Sequence, residues 1–470
     1  MSVHSTEADE SWEQFGRHLR SWRRQAGLTQ QQLGLRVGYH HSLISRLEAG
    51  LREPPAGLAR RLDSMLETGG ELAGIVAAPR EGAYGPQHAP ADPRLFAALP
   101  GGTTAGGGRE VLDPVPWPES LPAEGLTCPL HGAAGCTAPG RVETGLLLDG
   151  LTAPLPRLAL PPGGETELLH ALTAALACLI RGSWHRATGG GAAAVERLLR
   201  AVVRWAGAVN STGRLPYGQL RIAAQYAQVA GLLRMRLGQS SIGMAWFGHG
   251  LGWAEAVHDP SARATLLSDM CTLVRLDEDA ASAIGYAEAI GAVDPRRRWI
   301  GALSHLYQAR GHALARDPSA CRRHLALARR GFARLGPGDL LEAPWLGGTE
   351  GRMRLESAVG GALRDLAAAT GDRGTAHRAI DATAQARAQL PPAMHGTRLL
   401  LTLRLADGWA CAGDPGAAVA LAEPVLAEAV GSAEPMVGSE LRGLHGRLFS
   451  AWAEVPEVAR YRERLAETAR

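Results

Sequence analysis

The stretch from Gly27 to Gly50 holds the residue types and spacings with the clearest chemical use in this chain. Thr29 stands where its hydroxyl can cap a helix, and Gln32, three residues on, completes a capping box. Leu33 and Val37 then share one apolar face, and Gly38 breaks the helix. A short turn leads into a second helix whose buried side is Leu43, Ile44 and Leu47. Gly34 is small where the two helices must cross. Gly50 ends the second helix, and Pro54 and Pro55 prevent its continuation. Two short helices in this relation form a helix-turn-helix, whose second helix fits the major groove of DNA.

Charge agrees with that use. The whole chain of 470 residues has a net charge of only +3. Between Gln14 and Leu62, however, nine arginines stand against two acids, Glu48 and Glu53, a net of +7. A basic segment inside a near-neutral protein is the electrostatic footprint of nucleic-acid binding.

Around this motif, residues 15–66 resemble the lambda-repressor-like (Xre) DNA-binding family. The resemblance rests on Arg23-Arg24, the Gly27-Leu28-Thr29-Gln30 start, Ile44-Ser45-Arg46-Leu47-Glu48-x-Gly50, and an Arg and Pro shortly after. It implies that Gln30 and Arg52 reach phosphates, and that His41, Ser42, Ser45 and Arg46 face the bases. Arg46 is the candidate for a bidentate pair with guanine. Arg23 and Glu48 match a structural ion pair tying helix 1 to the recognition helix. His40 stands where the family usually has a Ser or Thr cap. With His41 it would put two imidazoles at the DNA surface, sensitive to pH below about 6.5; two ordinary surface histidines are the plainer reading. The family's habit of binding inverted half-sites implies a homodimer on double-stranded DNA.

Three regions position this motif: a helix-turn-helix domain over 11–76, a Pro/Gly-rich linker over 79–163, and an amphipathic helical region over 165–470. In the last, helix pairs begin near 166, 217, 261, 298, 351, 396 and 436, at spacings of 37 to 53 residues. The turns share an acid with Pro or Gly: Asp259-Pro260, Asp294-Pro295, Asp317-Pro318, Gly371-Asp372 and Gly413-Asp414-Pro415. Asp caps a following helix, and Pro fits its first turn. Small residues after the turns, such as Ala320, Ala376 and Ala417, let paired helices approach closely. This region resembles degenerate tetratricopeptide repeats, and a generic α-solenoid is the alternative. The expected fold is all-α throughout. Richness in Ala, Gly and Arg fits a GC-rich, actinobacterial type of regulator.

Enzyme classes fare poorly. All 49 basic residues are arginine, so a Walker-A lysine, a lysine Schiff base and a kinase-type ATP lysine are impossible. No HExxH helix or GxSxG elbow occurs either, and neither a catalytic site nor a cofactor is expected. No uncharged apolar run reaches the length of a membrane span, and the first ten residues lack the basic start of a secretory signal. Six scattered cysteines suit a reducing compartment, so the expectation is a cytoplasmic protein.

Two weaker signals remain. Cys128, His131 and Cys136 are three metal-ligand types at short spacing, but structural zinc normally takes four ligands and no fourth is near in sequence. A linker with two thiols is the default, redox sensing a further option, and no metal is expected. Tyr226, Trp246, Phe247, Trp253, Trp299 and Tyr307, with Arg298 beside Trp299, would line an effector groove for a peptide, small metabolite or protein if exposed. Aromatics at helical spacing more often pack repeats together. The functional expectation is thus an effector-gated transcriptional regulator. Its alternative is an interaction scaffold in which the helix-turn-helix serves localisation or dimerisation.

Overall fold

The structure is a computed structural model. It describes residues 5–37, 41–50, 54, 58–68, 70–77, 90–97, 99–100, 116–121, 123, 126, 128–129, 136–153, 164–183 and 189–468. The chain divides into two compact units, Met1–Ala89 and Pro90–Arg470, and the described residues are almost wholly helical.

The first unit contains α1 (Ser5–Gln25), α2 (Gln30–Val37), α3 (His41–Glu48), α4 (Leu58–Leu66) and α5 (Glu71–Ala77). Its core is built from Phe15, Leu19, Leu33, Ile44, Leu47, Leu58, Leu62 and Leu72, all fully buried. The helix α2 starts as its capping box requires: Gln32 N donates to Thr29 Oγ1 at 3.1 Å, and Thr29 N to Gln32 Oε1 at 2.9 Å. Asp63 accepts from the backbone of Leu72 (2.9 Å) and Ala73 (2.7 Å), holding the first turn of α5.

The second unit begins inside the Pro/Gly-rich stretch. It has a short 3-10 helix (Pro93–Phe96), a two-stranded antiparallel ribbon of β1 (Ser120–Leu121) and β2 (Cys136–Thr137), and α6 (Arg141–Thr152). Ala91, Leu126, Leu148 and Leu151 belong to the main core of this unit. Short of strand partners, the stretch is held by side chains that donate to its carbonyls. Asn210 Nδ2 reaches Ala91 O (3.0 Å), Trp253 Nε1 Leu95 O (2.7 Å), Arg181 Nη1 Pro116 O (2.9 Å) and Arg221 Nη1 Pro129 O (2.6 Å). These bonds satisfy carbonyls, that of Ala91 buried, in a proline-rich stretch poorly suited to a ladder.

Seven helix pairs follow. The first four are α7 (Gly164–Ser183) with α8 (Gly189–Ser211), α9 (Tyr217–Arg236) with α10 (Ser240–Ala256), α11 (Pro260–Leu276) with α12 (Ala280–Val293), and α13 (Arg298–Leu314) with α14 (Pro318–Phe332). A short helix, α15 (Pro337–Glu342), precedes α16 (Gly348–Thr370) and α17 (Arg373–Ala388). Then come α18 (His395–Ala412) with the broken second helix α19 (Pro415–Ala422) and α20 (Leu426–Gly431), and lastly α21 (Pro435–Ala451) with α22 (Pro456–Thr468). Each pair is amphipathic for an evident reason. In α14, Ala320, Cys321, His324, Leu325 and Ala328 are buried while Arg322, Arg323, Arg329 and Arg330 stay exposed, an apolar stripe at helical period.

The turns inside the pairs repeat one device. Just past α11, α13 and α18 the chain passes through one left-handed residue, at 278, 316 and 413, and the residue after it is an Asp that closes one helix and opens the other. Asp279 N donates to Val274 O (3.0 Å), Asp317 N to His312 O (2.9 Å) and Asp414 N to Trp409 O (3.0 Å), the six-to-one bond of a Schellman motif. The same carboxylates accept from Ser282, Ala320 and Ala417 N at 3.0, 3.0 and 2.8 Å. Asp294 departs from this expectation: it follows α12, accepts from Arg296 N and Arg297 Nε, and leaves Arg297 as the N-cap of α13. The left-handed residue is glycine at 413 but Glu278 (φ 59°) and Arg316 (φ 57°) in the earlier pairs. A side chain in that region costs about 1–2 kcal/mol, partly offset by the smaller unfolded-state entropy of a non-glycine residue. Glu278→Gly and Arg316→Gly should therefore each raise stability by roughly 0.5–1 kcal/mol in urea unfolding. A loss from both would mean that their side chains, and not backbone strain, set the local energy.

Successive first helices touch one another from α7 through α9, α11, α13, α16, α18 and α21, and α21 also touches α9 and α11. Arg236 Nη2 donates to Glu434 Oε1 at 2.6 Å, just before α21, and secures this return. The first helices from α9 to α21 thus close into a ring around an inner face.

Candidate functional site

On α3, Leu43, Ile44 and Leu47 turn inward while His41, Ser45 and Arg46 are exposed. Ser42 lies on the same helix, and His40 and Arg52 fall outside the described residues. The inner side of α3 is fixed by close approach to α1. A Cβ at Gly16 would stand 2.5 Å from Leu47 O and 2.8 Å from Glu48 O, so only glycine lets α1 cross α3 at this depth.

Arg23 and Glu48 lock the same crossing. The guanidinium of Arg23 grips Glu48 with two N–H groups, Nη2 at 3.0 Å from Oε2, and gives Nη1 to Leu28 O at 2.7 Å. The Glu48 side chain is fully buried. Burial works to raise its carboxyl, but Arg23, Gln30 and Arg20 outweigh it and hold it below the ordinary range. Gln30 is half-buried and donates Nε2 to Glu48 Oε2 at 2.8 Å, so one of its amide hydrogens is already used inside the protein. Removing one partner of a buried pair leaves the other charge stranded, which costs about 3–5 kcal/mol. Glu48→Ala should lose that much stability at pH 7 and flatten the acid limb of the first unit's unfolding curve. The sign follows from the depressed folded value: the pair's contribution is present above about pH 4.3 and is lost as pH falls through the folded value.

Sequence reading missed Gly16, Asp63 and Glu71. Glu71 Oε2 accepts from Trp22 Nε1 at 2.8 Å, and its other oxygen meets His18 Nδ1, pinning α5 to α1. An isolated Glu gives no signal in a sequence that its partners lie 49 and 53 positions away.

The proposed effector aromatics are placed differently from a groove lining. Tyr226, Trp246, Phe247, Trp253 and Trp299 are fully buried in the main core. Their polar atoms are engaged: Tyr226 Oη donates to Leu172 O (2.8 Å), Trp246 Nε1 to Glu196 (2.9 Å), and Trp299 Nε1 to Glu342 (2.9 Å). They pack helices together and present no edge to a ligand. Arg298 is exposed at the start of α13, and Tyr307 packs at the margin of the core, with burial pushing its hydroxyl up.

The ring's inner face is charged instead. Arg364 on α16 bonds Glu440 (2.6 Å), Asp365 (2.8 Å) and Asp407, while Arg404 on α18 reaches Glu440 Oε1 (2.9 Å) and Ser357 O (3.0 Å). Arg447 on α21 completes the bonds to Asp407. Beside them, Arg310 on α13 has buried Nε and Nη2 atoms that meet no hydrogen-bond partner among the described residues. Its guanidinium and that of Arg404 both lie against Gly361, where a Cβ would be 2.9 Å from Arg310 Nη2 and 3.4 Å from Arg404 Cζ. Burial, Arg275 and Arg404 together push Arg310 well below its ordinary value. Like charges from α11, α13 and α18 therefore converge where two buried donors are unsatisfied.

Cys128 and Cys136 form no disulfide, and burial with the neighbouring Cys128 pushes the Cys136 thiol up to about 12. That argues against a reactive thiolate there. His131 lies outside the described residues.

A family model for a helix-turn-helix domain matches residues 14–73. The first unit is thus a helix-turn-helix domain of the DNA-binding class. No curated protein and no solved structure matches the chain. Among the described residues, no helix is long and apolar enough to cross a membrane.

Proposed function

We propose that this protein is a cytoplasmic, sequence-specific regulator of transcription, of the Xre type, whose helical-repeat unit senses an effector bearing an anionic group. The observation that carries the reading is the exposed row of His41, Ser45 and Arg46 on a helix whose other face is locked by Gly16, Arg23 and Glu48. A rigidly seated recognition helix with donors and acceptors outward is the device by which such domains read base edges. Exposed Arg20, Arg24, Arg36 and Arg61 supply cationic charge for the phosphates. Dimerisation on an inverted repeat would supply enough base contacts, since one copy of this small domain offers few.

Support for the effector comes from Arg310. A guanidinium with two buried donors unpartnered among the described residues, beside two others, is costly, and a carboxylate or phosphate between them would satisfy those donors with charge-assisted bonds. The fitting effectors are acidic metabolites, phosphorylated compounds or the carboxylate of a peptide.

The test is selection of genomic fragments by the purified chain, repeated with representative carboxylates and phosphates. A sharp two-fold symmetric motif, with affinity shifted by one class of anion, is the expected result. Only salt-sensitive, sequence-independent binding would overturn the regulator reading and favour a scaffold whose helix-turn-helix merely localises or dimerises it.

A further inference from the structure

Cys128, Cys136 and His170 come together from three separate segments of the second unit. Cys128 lies in the Pro/Gly-rich stretch, Cys136 in β2, and His170 on α7, the first helix of the first pair. Their ligand atoms all lie within 4.8 Å of one another. We propose that these three side chains bind a thiophilic divalent cation, zinc foremost, as a structural clamp fastening the ribbon of β1 and β2 to the first repeat.

The geometry suits zinc closely. A tetrahedral ion with Zn–S near 2.3 Å and Zn–N near 2.0–2.1 Å separates its ligand atoms by roughly 3.4–3.8 Å. Side-chain rotations moving the atoms by about an ångström close the difference. Two thiols and an imidazole, with no carboxylate in the group, are soft and borderline ligands that select zinc over magnesium or calcium. Cys128 is fully buried, while Cys136 and His170 are half-buried, so an ion can enter and then be shielded. The three leave one tetrahedral position for a fourth ligand or water.

Backbone just past each cysteine is already held in place. Pro129, next to Cys128, accepts from Arg221, and Ala138 N, two residues past Cys136, donates to Glu119 O at 3.1 Å. Trp117 Nε1 donates to Pro139 O at 2.8 Å. What the segment lacks is mass: its strands are two residues each, and a two-stranded ribbon is marginal alone. Segments this small ordinarily depend on disulfides or metals. Each thiol gives up its proton to the solvent as the metal–sulfur bond forms, so affinity falls as pH is lowered.

This proposal is independent of the DNA and effector readings. The experiment is elemental analysis of the full-length chain purified without chelator, followed by exchange with cobalt(II) and absorption spectroscopy. The expected result is one zinc per chain, and thiolate-to-cobalt charge-transfer with the intense d–d bands of tetrahedral cobalt. Cys136→Ser and His170→Gln should each lower metal content at least tenfold under mild chelation, whereas Cys411→Ser should not. The wild-type metal content and spectrum decide the matter even if a variant fails to fold. A chain that stays metal-free after zinc loading, variants that keep their metal, or a Cys128–Cys136 disulfide in protein alkylated at lysis would each overturn it.

Discussion

Arg46→Ala in the full chain is expected to lower affinity for the selected DNA site by roughly 1–3 kcal/mol, about five- to 150-fold, and to relax the motif at one position per half-site. Arg46 is exposed on α3 while its neighbours Ile44 and Leu47 are in the core, so the substitution removes the proposed base contact without disturbing packing. Arg24→Ala, on the exposed side of α1, should act otherwise: it weakens all sequences alike and lowers the salt slope by about one. The pair of measurements separates base reading from phosphate attraction. Equal motifs and equal affinities for wild type and Arg46→Ala would place base reading elsewhere. His41→Ala and Ser45→Ala should give smaller losses, because neither side chain can make the two-pronged contact with guanine that Arg can.

Much of the first unit's fold was legible because its signals are local. Thr29 and Gln32 are three residues apart, and they cap each other as their spacing requires. Leu33, Val37, Leu43, Ile44 and Leu47 follow helical periods and form the core. The first helices of the repeats begin at Gly164, Tyr217, Pro260, Arg298, Gly348, His395 and Pro435, each within about three residues of its place in the sequence pattern. Asp259 marks the start of α11, and Asp279, Asp317, Asp372 and Asp414 mark second helices of the pairs, through backbone chemistry that needs no distant partner.

What stayed hidden depends on partners far along the chain. Proline-rich carbonyls bonded by Arg181, Arg221 and Trp253 look like linker, because nothing in a Pro/Gly run says which distant side chain will satisfy it. His170 reads as one polar residue in an apolar helix until the fold sets it beside Cys128 and Cys136. The buried tryptophans show the converse. Their spacing is the same whether they pack or bind, and only the closure of the ring, with α21 reaching α9 and α11, settles where the inner face lies. That face is lined by arginine and carboxylate, which a helical-wheel reading assigns to solvent.

The inner arginines should respond to substitution in opposite directions. Arg310→Met removes two buried donors that have no partner among the described residues and relieves repulsion from Arg275 and Arg404, so the chain without effector should gain roughly 1–3 kcal/mol. The same variant should lose whatever stabilisation an anionic effector gives the wild type, because binding stabilises only where the bonding group survives. Arg364→Met strands Asp365, Asp407 and Glu440 with reduced counter-charge, and should cost about 3–5 kcal/mol. Acid titration gives a second reading of the pair. Burial alone would raise Glu440, but Arg364 and Arg404 prevail and hold it at about 2. Its folded value lies below its unfolded value of about 4.3, so its contribution is complete above that pH and drains away as pH falls towards 2. Arg364→Met should shrink this acid-sensitive term, and Arg310→Met should leave it intact. Chemical unfolding at pH 7 and pH 3, with and without a phosphate or carboxylate ligand, measures all three effects. Destabilisation by Arg310→Met would show that its guanidinium is already satisfied within the ring, and the anion-sensing proposal would fall with it.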